Sequence, residues 1–227
     1  MSDVGDGFRQ YFIYSVIEYC TINPINGGPE TNDIVLKFYA VYYRKGQFMV
    51  TIMQACDSVR LARIEKLYRE AFPAQERKPF QLILDKRAEG DVEIQSIEGE
   101  SGQFYGLAIT ILYQDMVLLD YFAIQPEQRG NGIGSQAFAL LRGKYAGKRF
   151  FLEIERTGVE AENALFRQKR KAFYLRNGMQ ESFLFVRLFG VEMEVLVDGC
   201  SICFEEYKRL YTDTFGETRM GKQIHRL

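Results

Sequence analysis

The sequence of 227 residues contains very little histidine and cysteine. Its one histidine, His225, lies two residues from the C-terminus, so a Ser-His or Cys-His nucleophile and a multi-histidine zinc site are both difficult to build. The cysteines are too few and too scattered for the disulfide framework of a small secreted domain, and reduced thiols are expected. These scarcities disfavour most hydrolase chemistry and predict no metal site. The cysteines are Cys20, Cys56, Cys200 and Cys203.

The chain also lacks an excess of charge of either sign and long apolar runs. Lysine and arginine total 29 against 30 for aspartate and glutamate, so no global field favours nucleic acid or an anionic membrane. Apolar runs such as 48–53 and 116–124 are far shorter than the roughly 20 residues of a membrane helix, and the N-terminus shows no basic-then-apolar signal pattern. We therefore expect a cytoplasmic protein with neither nucleic acid nor a membrane as partner.

With 47 % hydrophobic residues, the chain is long enough to bury one substantial core. We expect one domain at 48–199, preceded by an extension at 1–47 and followed by a C-terminal helix and tail at 200–227. The extension has two β-rich runs, 11–19 and 34–43, around a turn-forming stretch. These runs suggest a β-hairpin. The extension is interpreted as an added layer, a dimerisation element or sequence upstream of a natural start at Met49, and the residues alone do not choose among these.

The periodicity of apolar residues predicts an α/β fold with a mixed, mostly antiparallel central sheet of about seven strands flanked by helices. Alternation at period two indicates strands, whereas apolar residues at helical spacing, such as Ile64, Leu67 and Tyr68, indicate amphipathic helices. The predicted strands are 48–55, 92–97, 104–113, 116–124, 150–154, 183–188 and 191–197, and the predicted helices are 58–72, 79–87, 133–145, 161–177 and 204–215.

A glycine-rich loop follows the strand at 116–124 and opens the helix at 133–145. It reads Arg129-Gly130-Asn131-Gly132-Ile133-Gly134-Ser135. Glycines let successive backbone N–H groups turn toward one point, and a helix N-terminus adds roughly half a positive charge, so the loop predicts a cradle for a pyrophosphate. Arg129 at its lip can add charge-assisted hydrogen bonds to the same oxygens.

Two other phosphate loops fit the residues less well. A Walker loop needs Gly-x-x-x-x-Gly-Lys, and no lysine follows in the required place. A Rossmann loop needs Gly-x-Gly-x-x-Gly, of which Gly130 and Gly132 satisfy the first half, but Ser135 replaces the third glycine. Pro126 and further residues also separate the strand from the first glycine, whereas a Rossmann strand turns directly into its glycines.

The arrangement Arg129-x-x-Gly132-x-Gly134, with Pro126 after the preceding strand, resembles the acetyl-CoA motif of the GNAT superfamily of N-acetyltransferases. A second segment, Arg170-Lys-Ala-Phe173-Tyr174-Leu-Arg-Asn-Gly178-Met179, is similar to the Arg-x-x-Phe-Tyr-x-x-x-Gly-Phe signature of that family, with methionine in place of the final aromatic residue. The order of predicted elements over 49–197 is also similar. Two separate motifs are more specific than either one alone.

The resemblance implies a GNAT-like acyl-CoA N-acyltransferase fold and an acetyl-CoA-dependent N-acetyltransferase that acts by direct transfer in a ternary complex. A backbone N–H within Phe122–Ile124 is then expected to donate to the thioester oxygen, and splaying of that strand from the next one is expected to admit the pantetheine arm. The expected residues for binding acetyl-CoA are Phe122, Ala123, Ile124, Arg129, Gly130, Asn131, Gly132, Ile133, Gly134 and Ser135.

Three residues are candidates for proton transfer. The resemblance implies that the hydroxyl of Tyr174 protonates the departing thiolate of coenzyme A, and a tyrosine with a pKa of about 10 stays protonated at neutral pH. Asp120 and then Glu153 are candidates for the base that accepts the amine proton, because burial in apolar strands raises the pKa of a carboxylate toward the working range. A core aromatic at Tyr174, outward-facing carboxylates at the other two positions and a water chain as base are the alternatives.

The acceptor and the assembly are less constrained. A small-molecule amine is favoured over a protein tail because the chain has no dense acidic cluster. A homodimer is an option, with the aromatic-rich segment 11–43 as a contributor. The alternative function is a non-catalytic acyl-CoA-binding sensor or scaffold. Cys200 and Cys203 are interpreted as incidental thiols, because a zinc site needs two more ligands and there is no second cysteine pair.

Overall fold

The computed structural model describes residues 12–14, 38–42 and 50–227. Most of the predicted N-terminal hairpin, including its turn, lies outside the described residues. The strands are β1 (Phe12–Tyr14), β2 (Phe38–Tyr42), β3 (Val50–Gln54), β4 (Val92–Gly99), β5 (Phe104–Tyr113), β6 (Met116–Ile124), β7 (Arg149–Glu155), β8 (Gln180–Leu188), β9 (Val191–Val197) and β10 (Ile224–Arg226).

These strands form one sheet of ten strands in the order β1-β2-β3-β4-β5-β6-β7-β9-β8-β10. Every neighbouring pair is antiparallel except β6 and β7, which are parallel. The mixed, mostly antiparallel sheet confirms the predicted fold class. The seven predicted strands correspond to β3–β9. The sequence pattern does not indicate β10, because Ile224 is the one buried residue among its three.

Helices cover both faces of the sheet. They are α1 (Ser58–Ala71), α2 (Phe80–Glu89), α3 (Ile133–Lys144), α4 (Ala164–Arg176), α5 (Phe204–Phe215) and α6 (Glu217–Met220). Helices α1, α2, α5 and α6 share one core cluster with the sheet, whereas α3 and α4 share the other. Along Met116–Leu119 of β6 the residues alternate between the two clusters, so the clusters lie on opposite faces, here called the α5 face and the α3 face. In the described part of the chain, no helix is both long and apolar enough to cross a membrane.

Local signals set several helix ends. Asp57 caps α1, because its side chain accepts a hydrogen bond from the backbone N–H of Arg60 at 2.8 Å. Gly90 ends α2 in the left-handed conformation, with φ 90°. Cys203 and Glu206 form a capping box at the start of α5. The backbone N–H of Cys203 donates to Oε2 of Glu206 at 3.0 Å.

Strand β8 begins earlier than the sequence pattern predicts. Its register with β9 shifts between Glu181 and Phe185, and Phe183 within this bulge has a positive φ of 58°. A bulge interrupts the alternation of inward and outward residues. The pattern at period two therefore indicates only the second half of the strand.

Strands β6 and β7 separate part-way along their length. Their parallel pairing ends at Leu119 and Leu152. On the other side of β6 the register with β5 shifts at Asp120, which has no partner in β5. Such a bulge bends the strand, and β6 continues beside β5 while β7 continues beside β9. The opening between 120–124 of β6 and 153–155 of β7 is called the β6–β7 gap, and it is the splay that the sequence resemblance implies.

Candidate active site

The glycine loop starts where β6 ends and leads into α3. Gly130 and Gly132 have φ values of 85° and 78°, a backbone conformation that L side chains rarely adopt. Within the described residues, the backbone N–H groups of 130–135 donate no hydrogen bond. These groups are called the N–H cradle, and they lie at the positive end of the α3 dipole.

Two contacts hold the cradle against the end of β6. Nε of Arg129 donates to the backbone oxygen of Ile124 at 3.0 Å, which keeps an exposed guanidinium beside the loop. A Cβ added at Gly134 would lie 3.6 Å from both Ile124 and Phe173, so the first turn of α3 packs closely on β6 and α4. The structure therefore brings the predicted cofactor-binding residues together around the end of the β6–β7 gap.

Tyr174 lies in the last turns of α4, on the α3 face. Its ring packs against Phe138 and Phe173 with centroid distances of 5.3 and 5.1 Å. Burial raises the pKa of the phenol to about 12, although Arg170 has the opposite effect. Its hydroxyl makes no hydrogen bond to any described residue. Tyr174 is therefore a core aromatic and, at the same time, a protonated donor without a partner in the described part of the chain.

Asp120 faces the α5 side of the sheet and forms a buried ion pair with Lys78. The ammonium nitrogen lies 2.7 and 2.9 Å from the two carboxylate oxygens. The side chains of Lys78 and Asp120 are 10 % and 4 % exposed. Burial raises the pKa of Asp120, whereas Lys78 lowers it. The ammonium also lies within 5.3 Å of the ring centroids of Tyr121, Tyr211 and Phe215. Asp120 is therefore not an outward-facing strand carboxylate.

Glu153 of β7 carries a buried carboxylate that accepts two hydrogen bonds from α5. The hydroxyl of Tyr211 lies 2.6 Å from Oε1, and the hydroxyl of Tyr207 donates to Oε2. Burial raises the pKa of Glu153, the two hydrogen bonds lower it, and the nearby charge of Asp120 raises it. The two candidate bases thus belong to one buried polar cluster on the α5 face.

Glu76 is a further carboxylate beside the gap, and the sequence pattern does not single it out. It ends the short 3₁₀ turn between α1 and α2, and its backbone oxygen accepts a hydrogen bond from the hydroxyl of Tyr121 at 3.0 Å. Partial burial raises the pKa of Glu76, as does the charge of Glu155, whereas Arg170 and Arg167 lower it. The hydrogen bond from Tyr121 attaches the connector that carries Glu76 to the splayed segment of β6.

Glu155 links the end of β7 to α4. Its carboxylate pairs with Arg167 at 2.8 Å and with Arg170 at 3.3 Å, and accepts from Nδ2 of Asn163 at 3.1 Å. Arg170 is the first residue of the second sequence motif, so this ion pair gives that position a structural role. The same contacts fix the helix that carries Tyr174.

The described part of the chain contains no group of three or more histidine, cysteine, aspartate or glutamate residues that could hold a metal ion. The three cysteines among the described residues, Cys56, Cys200 and Cys203, are free thiols.

The sheet is mostly antiparallel, and its parallel pair splays beside a helix that starts with glycines. This arrangement defines the class of fold, that of the acyl-CoA N-acyltransferases. No protein-family model and no curated protein matches the sequence. Solved structures do match. A GNAT-family protein from Bacteroides thetaiotaomicron, an acetyltransferase candidate by its name, has a TM-score of 0.60 and 19 % identity over 73 % of this chain and 98 % of that chain.

Two spermidine N-acetyltransferase structures, one from Vibrio cholerae and one a chimera that is partly from Vibrio cholerae, are also similar. One, in complex with CoA and spermine, has a TM-score of 0.51 and 12 % identity over 66 % of this chain and 95 % of that chain. The other, a chimera, has a TM-score of 0.52 and 17 % identity over 65 % of this chain and 93 % of that chain. The protein therefore has the GNAT fold, which confirms the fold that the sequence resemblance implies.

Proposed function

We propose that the protein is an N-acetyltransferase that moves an acetyl group from acetyl-CoA to the amine of a small molecule by direct transfer in a ternary complex. The observation that carries the proposal is the N–H cradle at 130–135, which lies at the end of a gap between two strands. A helix N-terminus with free backbone donors is a ready site for a phosphate group. The gap beside it offers a path for an extended chain from that phosphate toward the centre of the sheet.

The residues of the cradle fit the pyrophosphate of acetyl-CoA, which supplies a reactive thioester when bound. Gly130 and Gly132 place no side chain at the cradle, and Arg129 adds an exposed guanidinium that can pair with phosphate. We assign Phe122–Ile124, at the end of β6, to the pantetheine arm and to donation of a backbone N–H to the acetyl oxygen.

The reaction moves one proton away from the amine and one proton to sulfur, because an amine and a thioester become an amide and a thiol. Tyr174 holds a proton at neutral pH and has no acceptor for it among the described residues, so it is the proposed donor to sulfur. Asp120 and Glu153 remain the candidates for the base. Glu76 joins them, because it lies beside the gap and forms no ion pair with a described residue.

Calorimetric titration of acetyl-CoA tests the cradle. We expect micromolar binding by the wild type and a loss of affinity of about tenfold or more in Gly132→Asp, whose carboxylate would repel the phosphates. Gly147→Asp is the matched control, because Gly147 has a similar φ of 84°, open space around it and a place at the opposite end of α3. Unchanged affinity in Gly132→Asp, or no binding by the wild type, contradicts the proposal.

Turnover is tested separately, by release of free thiol from acetyl-CoA in the presence of a panel of small amines. Thiol release that depends on the amine supports the transferase. Binding of acetyl-CoA without thiol release across the panel would instead favour the non-catalytic sensor. The domain boundaries, the cytoplasmic location and the homodimer remain predictions from the sequence.

A further inference from the structure

A cavity of about 260 Å³ opens on the α5 face, between the α1–α2 connector, the turn from β8 to β9 and the end of α5 with α6. Its size suits a small metabolite rather than a long chain, because pockets for drug-sized ligands start at about 300 Å³. Its lining includes Glu76, Arg77, Leu82, Phe189, Phe215 and Arg219.

The cavity is tied directly to the β6–β7 gap. The hydroxyl of Tyr121 in β6 donates to the backbone oxygen of Glu76 and accepts from the backbone N–H of Lys78, both at 3.0 Å. Tyr121 lies between Asp120 and Phe122, at the start of the splayed segment. Tyr121 therefore connects the wall of the cavity to the segment of β6 at which the gap opens.

The charged groups that line the cavity carry an excess of positive charge that is free to pair. Lys78 also lines it, but Asp120 neutralises that ammonium. Arg77 donates a hydrogen bond to the backbone oxygen of Arg69 at 3.0 Å, whereas Arg219 is exposed. Neither arginine forms an ion pair with a described residue. Glu76 is the one carboxylate of the lining, and it also forms no ion pair with a described residue.

The remaining wall is apolar. Phe215 and Met220 are almost fully buried, whereas Phe189 at the mouth is 45 % exposed. Phe189 has a positive φ of 48°, which is uncommon for a residue other than glycine. This turn presents a large aromatic surface toward the cavity, and covering that surface with an apolar ligand is favourable.

We propose that the cavity binds the acceptor as a small amine that also carries a carboxylate and an apolar body, as in an amino acid with an aromatic or aliphatic side chain. The carboxylate pairs with Arg77 and Arg219, the amine approaches Glu76, and the apolar body packs on Phe189 and Phe215. That the ligand is an acetyl acceptor rests on the proposed function. A polyamine, as in the similar Vibrio cholerae structure, has several positive charges and no anion, and the surplus of guanidinium groups disfavours it.

Calorimetric titration of small amines into the whole chain, without and with coenzyme A, tests this class of ligand. L-Phenylalanine is compared with L-phenylalaninamide, which keeps the body and removes the carboxylate, with spermidine, and with O-phosphoethanolamine, which offers a phosphate. We expect L-phenylalanine to bind at least about tenfold more tightly than each of the others. Equal or tighter binding of any of the three, or no binding of L-phenylalanine in either condition, overturns the proposal.

Arg219→Gln locates the binding site. We expect this substitution to lower the affinity for L-phenylalanine by about tenfold and to leave the affinity for L-phenylalaninamide unchanged. Arg226→Gln is the matched control, because Arg226 is also exposed and forms no ion pair with a described residue, but lies outside the cavity lining. Unchanged L-phenylalanine binding in both Arg219→Gln and Arg77→Gln contradicts the assignment.

The two proposals fail in different ways. Selective binding of L-phenylalanine without binding of acetyl-CoA would reject the transferase and keep the amino-acid site. Binding of acetyl-CoA with amine-dependent thiol release, but without any preference for a carboxylate, would keep the transferase and reject the acceptor class.

Discussion

The two sides of the β6–β7 gap are built differently. On the α3 face, the N–H groups of 130–135 and the hydroxyl of Tyr174 have no hydrogen-bond partner among the described residues. On the α5 face, Asp120 pairs with Lys78, and Glu153 accepts from two tyrosines of α5. The α3 face thus offers donors to a ligand, whereas the α5 face satisfies its buried charges internally. This difference predicts that loss of the unpartnered donors on the α3 face changes activity, and that loss of the internal partners of Asp120 and Glu153 on the α5 face changes stability.

The largest effect is expected at Tyr174. Tyr174→Phe keeps the ring contacts and removes the proposed proton donor, so kcat is expected to fall about 10²–10⁴-fold with unchanged acetyl-CoA affinity. Because the pKa of Tyr174 is about 12, the loss is expected to be the same at pH 7 and pH 9. Steady-state kinetics and calorimetry measure both quantities. A kcat equal to that of the wild type in Tyr174→Phe would mean that the tyrosine only packs in the core and does not donate the proton.

The buried ion pair of the α5 face gives the next largest effect. Lys78→Met leaves Asp120 charged and unpaired in the core, and we expect the free energy of unfolding to fall by ~3–5 kcal/mol at neutral pH. Chemical denaturation measures this change. Lys66→Met is the control, because Lys66 is 78 % exposed and its ion pair with Glu70 is a surface pair.

The pH dependence of Lys78→Met has a definite sign. Burial already raises the pKa of Asp120, and removal of Lys78 raises it further, so the folded state takes up a proton at a higher pH than the unfolded state. The destabilisation is therefore largest at high pH and shrinks as the pH falls and Asp120 becomes neutral. Lys78→Met with Asp120→Asn is expected to recover part of the stability. A loss that grows toward low pH would argue against an unpaired Asp120 charge.

The sequence predicts the α3 face well because the signals of that face are local. The glycines that free the N–H groups, the start of α3 and the motif around Tyr174 each lie within a short segment. The α5 face is assembled over long separations: Lys78 reaches Asp120 across 42 positions, and Tyr211 reaches Glu153 across 58. No periodicity marks Lys78 in its connector or the bulge at Asp120, so both carboxylates are found from the sequence, but their partners are not.

A smaller effect is expected when one hydrogen bond to Glu153 is removed. Tyr211→Phe keeps the ring and deletes one of two donors to this buried carboxylate, and we expect a loss of ~1–3 kcal/mol of stability at neutral pH. The pKa of Glu153 is already raised by burial and rises further, so the loss shrinks as the pH falls. Tyr113→Phe is the control, because its hydroxyl bonds to Asp213 at the exposed surface. Equal losses in the two variants would contradict a special role for the buried bond.

The smallest effect distinguishes Gly132 from Gly134, the two glycines of the loop that begins α3. A Cβ at Gly134 would meet Ile124 and Phe173 at an ordinary contact distance of 3.6 Å, so Gly134→Ala is expected to leave acetyl-CoA binding intact and to gain up to about 1 kcal/mol of stability from helix propensity. Gly132→Ala has the same added methyl group, but a φ of 78° there costs roughly 1–2 kcal/mol. Thermal unfolding and calorimetry of the two variants measure these changes. A loss of acetyl-CoA binding in Gly134→Ala with intact folding would mean that this glycine, too, belongs to the ligand side of the cradle.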